Sequence, residues 1–180
     1  MTGRIVFLLC AWFAAACVSA ADPLGDALKA YDSGNYKKAV TLLRPLADRG
    51  DSVAQLKLGM LYYYGYGVPE DEPRAVSWLK MSAAQGNLDA MYQLGNVYTF
   101  GAETHKLTAD ADVEAVKWYF EAARAGHKDG QYALGLMFLA GKGVVQSQDE
   151  GLAWIRRAAA LGHREAQNFV SGADAHTTQR

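Results

Sequence analysis

Three tryptophans set the terms on which this chain can fold. Trp78, Trp118 and Trp154 stand 40 and 36 residues apart, and eight residues beyond each lies a glycine: Gly86, Gly126 or Gly162. Twelve residues beyond each comes Ala90, Gly130 or Ala166. Upstream, Leu-Gly pairs at 58–59, 94–95 and 134–135 lead to an aromatic residue at 62, 98 or 138 and to a closing glycine at 65, 101 or 141. A register shared by so many residue types describes repeated supersecondary units. Each unit must stack on its neighbours to bury its apolar face.

Within a unit the periodicity is helical. Ala54, Leu58, Tyr62 and Gly65 share one face, and so do Ala75, Trp78, Leu79, Ser82 and Ala83. The second face recurs as Ala115, Trp118, Tyr119, Ala122, Ala123 and as Gly151, Trp154, Ile155, Ala158, Ala159. Each unit therefore reads as a first helix, a glycine-rich loop, a second helix and a glycine stop. Asp71-Glu72-Pro73 places acids and a proline where the second helix of its unit should start.

The small residues carry the packing argument. Glycine in mid-helix costs about 1 kcal/mol of helix propensity relative to alanine. Repeated three times at one register, it implies a close approach by another helix. The Ala-Ala and Ser-Ala steps of the second helices offer matching small surfaces, and the tryptophans are expected to fill the wedge between helices.

With these residues in place the chain resembles the Sel-one-like repeat family, all-helical relatives of the tetratricopeptide repeats. The likeness is carried by Ala54 to Val68, Ala75 to Trp78 and Ala83-Ala-Gln-Gly86, and again by Gly130 to Gly162 with Leu134-Gly135, Gly141-Lys-Gly143-Val144 and Trp154. The middle unit departs from the pattern: after Gly101 it lacks the second glycine and the valine and runs four residues longer, so its loop needs a different shape. The resemblance covers roughly residues 52–171. It implies a right-handed all-α solenoid of stacked antiparallel helix pairs.

The expected organisation is a signal peptide at 1–21, a tetratricopeptide-like helix pair at 22–50, repeats at 51–86, 87–126 (lengthened loop) and 127–162, and a capping helix with a polar tail at 163–180. In the opening pair, Leu42 takes the tryptophan slot and Ala39 the alanine slot, and Pro45 is a candidate kink. The first segment is apolar from Ile5 to Val18, shorter than the about 20 residues of a membrane span, and ends in Ser19-Ala20-Ala21. Cleavage after Ala20 or Ala21 would remove both cysteines, Cys10 and Cys17, and send the chain to the periplasm or outside the cell. Phe13-Ala-Ala-Ala-Cys17 also resembles a loose lipobox, which keeps a lipoprotein anchored at Cys17 open as an alternative.

Catalytic signals are sparse. Eighteen basic against nineteen acidic residues give a formal charge of −1, which argues against a nucleic-acid binder. Ser77-Trp-Leu-Lys80 matches an S-x-x-K string, but no K-T-G accompanies it. The glycine loops follow helices and lack G-K-[ST], so they are not phosphate loops. His127 and His163 occupy equivalent turn positions where the first repeat has Asn87, and neither they nor His105 and His176 form a ligand cluster. Asp110, Asp112 and Glu114 fit the start of a helix.

The expected function is a non-catalytic interaction scaffold of the bacterial cell envelope, holding a peptide or protein on a concave face. No cofactor, metal ion, nucleic acid or membrane span after processing is expected. An envelope hydrolase acting on peptidoglycan or β-lactams, an activity proposed for cysteine-rich members of the family, stays open, as does a lipid-anchored assembly factor. Carried over from tetratricopeptide geometry, the inward positions are Met60, Tyr63 and Tyr64, then Asn96, Thr99 and Phe100, then Leu136 and Leu139. Leu56, Tyr92 and Tyr132 lean the same way. For Tyr63, Phe100 and Leu139 packing between repeats is the competing expectation.

Overall fold

The structure is a computed structural model that describes residues 22–101 and 110–177. The expected signal peptide with Cys10 and Cys17, His105 with most of the lengthened loop, and the last three residues lie outside the described residues, as does the side chain of His176. Among the described residues there are nine helices and no strand. They are α1 (Pro23–Asp32), α2 (Tyr36–Asp48), α3 (Ser52–Tyr64), α4 (Glu72–Ala84), α5 (Leu88–Phe100), α6 (Ala111–Arg124), α7 (Lys128–Ala140), α8 (Gln148–Ala160) and α9 (Arg164–Thr177). Each helix packs chiefly on its sequence neighbours, which makes the molecule an all-α solenoid of stacked pairs. Pro45 lies within α2 without ending it.

Helix starts are specified one by one. The side chains of Asp22, Asn35, Asp51, Asp71, Asn87, His127 and Ser147 each accept a backbone N–H in the first turn that follows. His163 does the same through Nδ1 for Ala166, 3.1 Å away. The stacking is reinforced by a repeated glutamine. Gln55, Gln131 and Gln167 donate side-chain N–H groups to the carbonyls of Ala47, Ala123 and Ala159 at 3.0, 3.1 and 3.1 Å. Those carbonyls lie in the last turn of the preceding second helix and also accept the N–H of Gly50, Gly126 or Gly162.

The Leu-Gly glycines do mark close approaches, but the partner differs from expectation. A Cβ on Gly59 would lie 2.9 Å from Leu79 Cγ and 3.2 Å from the Ala75 carbonyl oxygen. On Gly135 it would lie 2.6 Å from Ile155 Cγ1 and 2.8 Å from the Gly151 oxygen, and on Gly95 it would meet the Tyr119 ring. The residue after each tryptophan, not the tryptophan, is the one seated on the glycine. Leu79, Tyr119 and Ile155 are buried, whereas Trp78, Trp118 and Trp154 are half-buried at the edges of the core. The wedge expected of the tryptophans is filled by their neighbours, because one position of helical rotation carries the indole away from the facing axis. The Ala-Ala step serves the next unit instead: a Cβ on Gly130 would stand 2.9 Å from that of Ala122.

The second loop glycine has its own reason. Gly67 (φ 74°) and Gly143 (φ 65°) sit on the N-terminal ends of α2 and α6, where a Cβ would lie 2.6 Å from the Tyr36 carbonyl carbon or 2.7 Å from Val113 N. The middle unit, which lacks this glycine, leaves α5 differently. Gly101 is extended (φ −73°), where Gly65 and Gly141 are left-handed.

Candidate functional site

The first helices α1, α3, α5 and α7 present a common face, and three hollows open along it. The hollow nearest the N-terminus, about 230 Å³, is walled by Tyr31, Leu56, Lys57, Met60, Asp89, Tyr92 and Gln93, with His127 and Asp129 at its far edge. Lys57 Nζ lies 4.6 Å from the Tyr31 ring centroid, so positive charge gathers on one rim. Asp89 and Asp129 stand on the other. His127 Nε2 is 3.0 Å from Asp89 Oδ1 while its Nδ1 caps α7 by accepting Gly130 N–H, so the ring is fixed from both sides. The His127 ring also stacks on Tyr92 at 5.0 Å, and one repeat later His163 lies 4.4 Å from Tyr132.

The second hollow, about 310 Å³, is lined by Tyr63, Tyr64, Glu70, Glu72 and Phe100. The third, about 280 Å³ and more apolar, is formed by Thr99, Phe100, Tyr119, Leu136, Met137 and Lys142 together with Ala133 and Ala140. Phe100 is 71% exposed and forms the ridge between these two. A ladder of rings leads into the second hollow. Tyr31 contacts Tyr36 at 5.9 Å, Tyr36 stacks on Tyr66 at 4.7 Å, Tyr66 on Tyr64 at 5.4 Å, and Tyr64 meets Tyr63 edge-on at 4.9 Å.

The positions expected to face inward divide into two groups. Tyr64, Phe100 and Leu136 are exposed, with Tyr63 half-buried beside them, and they line adjoining hollows. The others have partners within the fold. Met60 is 8% exposed and belongs to the core, touching the first hollow only as part of its wall. Leu139 packs on the cluster around Ile155. Asn96 Oδ1 accepts the Tyr119 hydroxyl at 2.8 Å, and Thr99 Oγ1 donates to the Gly95 carbonyl at 2.8 Å and lies 3.2 Å from the same hydroxyl. These polar contacts tether α5 to α6. Leu56 is buried, while Tyr92 is half-buried in the first hollow.

Sequence reasoning missed Tyr31, Lys57, Asp89, Asp129, Tyr66 and Lys142. Only the spacing of Asp89 and Asp129, equal to that of Trp78 and Trp118, pointed to a shared face. Burial raises the Tyr31 and Tyr63 phenols above the usual tyrosine range, helped by neighbouring tyrosines and, for Tyr63, by Glu72. Burial pushes Tyr119 up to about 12 against the opposing effect of its Thr99 hydrogen bond. These phenols stay neutral near pH 7, and the Tyr119 hydroxyl is spent inside the fold on Asn96 and Thr99.

Among the described residues no group of three histidine, cysteine, aspartate or glutamate side chains converges as a metal site would require. Nor is any helix long and apolar enough to cross a membrane. Ser77 is exposed on α4, and Lys80 Nζ sits 5.8 Å from the Tyr98 ring centroid. The face offers rings, hydroxyls and a few charges, a set suited to holding a ligand.

Comparison with known proteins bears on the repeats and the fold. A family model described as Sel1 repeat matches residues 27–51, 52–87, 88–127 and 128–163. A Sel1 repeat protein from Oxalobacter formigenes of known structure is 32% identical, with a TM-score of 0.66 over 78% of this chain and 56% of that one. Cysteine rich protein B of Helicobacter pylori shares the fold at 20% identity, with a TM-score of 0.53 over 84% of this chain and 98% of that one. Among curated proteins, an F-box protein of Arabidopsis thaliana is 39% identical over 64 residues, which is 36% of this chain and 18% of that protein. The chain thus spans less than a fifth of that curated relative and just over half of the Oxalobacter protein.

Proposed function

Because the chain belongs to the Sel1 repeat family, whose repeats serve generally as protein-interaction scaffolds, we propose that it is a non-catalytic adaptor of the bacterial cell envelope. Its partner is a peptide or an apolar protein segment held along the concave face made by the first helices. The observation that carries this reading is the line of exposed apolar side chains, Tyr64, Phe100 and Leu136, bordering two adjoining hollows. Apolar side chains gathered on one rim favour an interface over scattered exposure. Three parallel first helices also offer a partner several anchor points at repeat spacing. The envelope assignment rests on the apolar segment before Ala21.

The experiment is site-specific photocrosslinking in the native cell. Benzoylphenylalanine at Phe100 or Leu136 should give discrete adducts, and the same probe at Lys117 or Arg156 on the second helices should give none. Equal adducts from both faces would overturn the groove. Intact mass of the native protein reads the export route: a start at Ala21 or Asp22 supports cleavage, and a diacylglyceryl group on Cys17 replaces the free adaptor with a membrane-anchored one.

A further inference from the structure

Away from the groove, two arginines converge on one phenol. Arg44 Nη2 donates to Tyr62 Oη, and Arg74 Nη1 donates to the same oxygen at 3.3 Å. Their guanidinium carbons lie 5.6 and 4.9 Å from the Tyr62 ring centroid. A phenol oxygen accepts two hydrogen bonds and donates one. Both accepting positions are occupied, and the phenolic proton has no acceptor among the described residues. Arg74 Nε also pairs with Asp71 Oδ2 at 3.3 Å, whereas no described carboxylate lies within ion-pair distance of Arg44. Two guanidinium charges against one carboxylate leave the cluster with a single uncompensated positive charge.

Repeat comparison shows that the fold does not require this arrangement. The residue four before each tryptophan is Arg74 in the first full unit but Glu114 and Glu150 in the next two. That residue sits in the first turn of its helix, where the macrodipole favours an acid and disfavours an arginine. The ring is Tyr98 with a single lysine above it in the second unit, and Phe138 with no hydroxyl in the third. The first unit alone combines a hydroxyl with two guanidiniums, and it does so against the local helix preference.

We propose that Arg44, Arg74 and the Tyr62 hydroxyl form a carboxylate-binding site. One planar carboxylate would take the spare N–H donors of both arginines together with the phenolic proton, and its single negative charge would match the single excess positive charge. The site is independent of the first-helix groove, so it stands whatever that groove holds.

The probe is acetate, titrated at constant ionic strength with chloride as the counter-anion, and the readout is the Tyr62 ring-carbon resonance in the full chain labelled with ¹³C-tyrosine. Tyr62→Phe assigns the signal. Burial of this ring opposes ionisation, but the hydrogen bonds and charges of Arg74 and Arg44 outweigh it and hold the phenol below the usual tyrosine range. Acetate should therefore move the resonance saturably and raise the apparent ionisation back toward an ordinary tyrosine. Arg74→Glu, which installs the residue of the other two repeats, should abolish the response with the melting transition retained. Chloride matching acetate, or an acetate response surviving in Arg74→Glu, would overturn the site. Inorganic phosphate saturating well below acetate would overturn the assignment to a carboxylate in favour of a phosphate.

Discussion

Gly135 shows how much of this fold turns on single atoms. Alanine there would gain about 1 kcal/mol of helix propensity, yet its methyl would press on Ile155 Cγ1 at 2.6 Å and on the Gly151 carbonyl oxygen at 2.8 Å. The backbone oxygen cannot rotate away, so overpacking wins. Gly135→Ala should lose about 1–3 kcal/mol in urea unfolding, and equal or greater stability would show that α7 and α8 are farther apart than described. At His127 the same reasoning predicts tolerance. The ring acts as an N-cap through Nδ1, as Asn87 does one repeat earlier through its side-chain oxygen, so His127→Asn should change the melting midpoint little. Tyr119 predicts a pH dependence. Its folded-state pKa, about 12, exceeds the ordinary value of 10.0, so an unfolded chain releases this proton first. The stabilisation is therefore complete below pH 10 and declines as pH rises toward 12, by about 2–3 kcal/mol over that window. Tyr119→Phe, compared with the native chain, should flatten that decline, and parallel stability curves would refute the burial of this hydroxyl.

At the scale of elements, the repeat register was legible because it is written in residues with few alternatives. Glycine at 59, 95 and 135 admits a close neighbour, and a capping side chain precedes nearly every helix. What the register did not reveal was which of two adjacent bulky residues faces the glycine. Trp78-Leu79, Trp118-Tyr119 and Trp154-Ile155 are each apolar, and a helical pattern separates such neighbours by only about 100°. The tryptophan is the larger of each pair, while the smaller residue holds the axis-facing position. Tyr119→Ala should accordingly lose about 3–5 kcal/mol and Trp118→Ala less, measured by chemical unfolding of the two variants side by side. A larger loss at Trp118 would reverse that assignment. The glutamines at 55, 131 and 167 were visible at repeat spacing, but their reach to the end of the preceding helix depends on inter-unit geometry that no pattern of apolar residues encodes.

For the whole molecule, the stacking of the first helices was legible, and the chemistry of the face they share was not. Inward register grouped Tyr64, Phe100 and Leu136, which are exposed, with Met60 and Leu139, which pack into the fold, because burial depends on how far each pair rotates on the last. The charged rim of Lys57, Asp89 and Asp129 is assembled from helices of three units, so no single repeat encodes it. The most direct test of the groove is therefore a variant confined to its exposed residues. Tyr64→Ser, Phe100→Ser and Leu136→Ser combined leave the half-buried Tyr63 in place and remove little core. The measurement is recovery of the partner by chemical crosslinking through surface lysines in the native cell, with the thermal melt of the same protein recorded alongside. The groove account predicts an unchanged melt and loss of the partner; an unchanged melt with full recovery would contradict it.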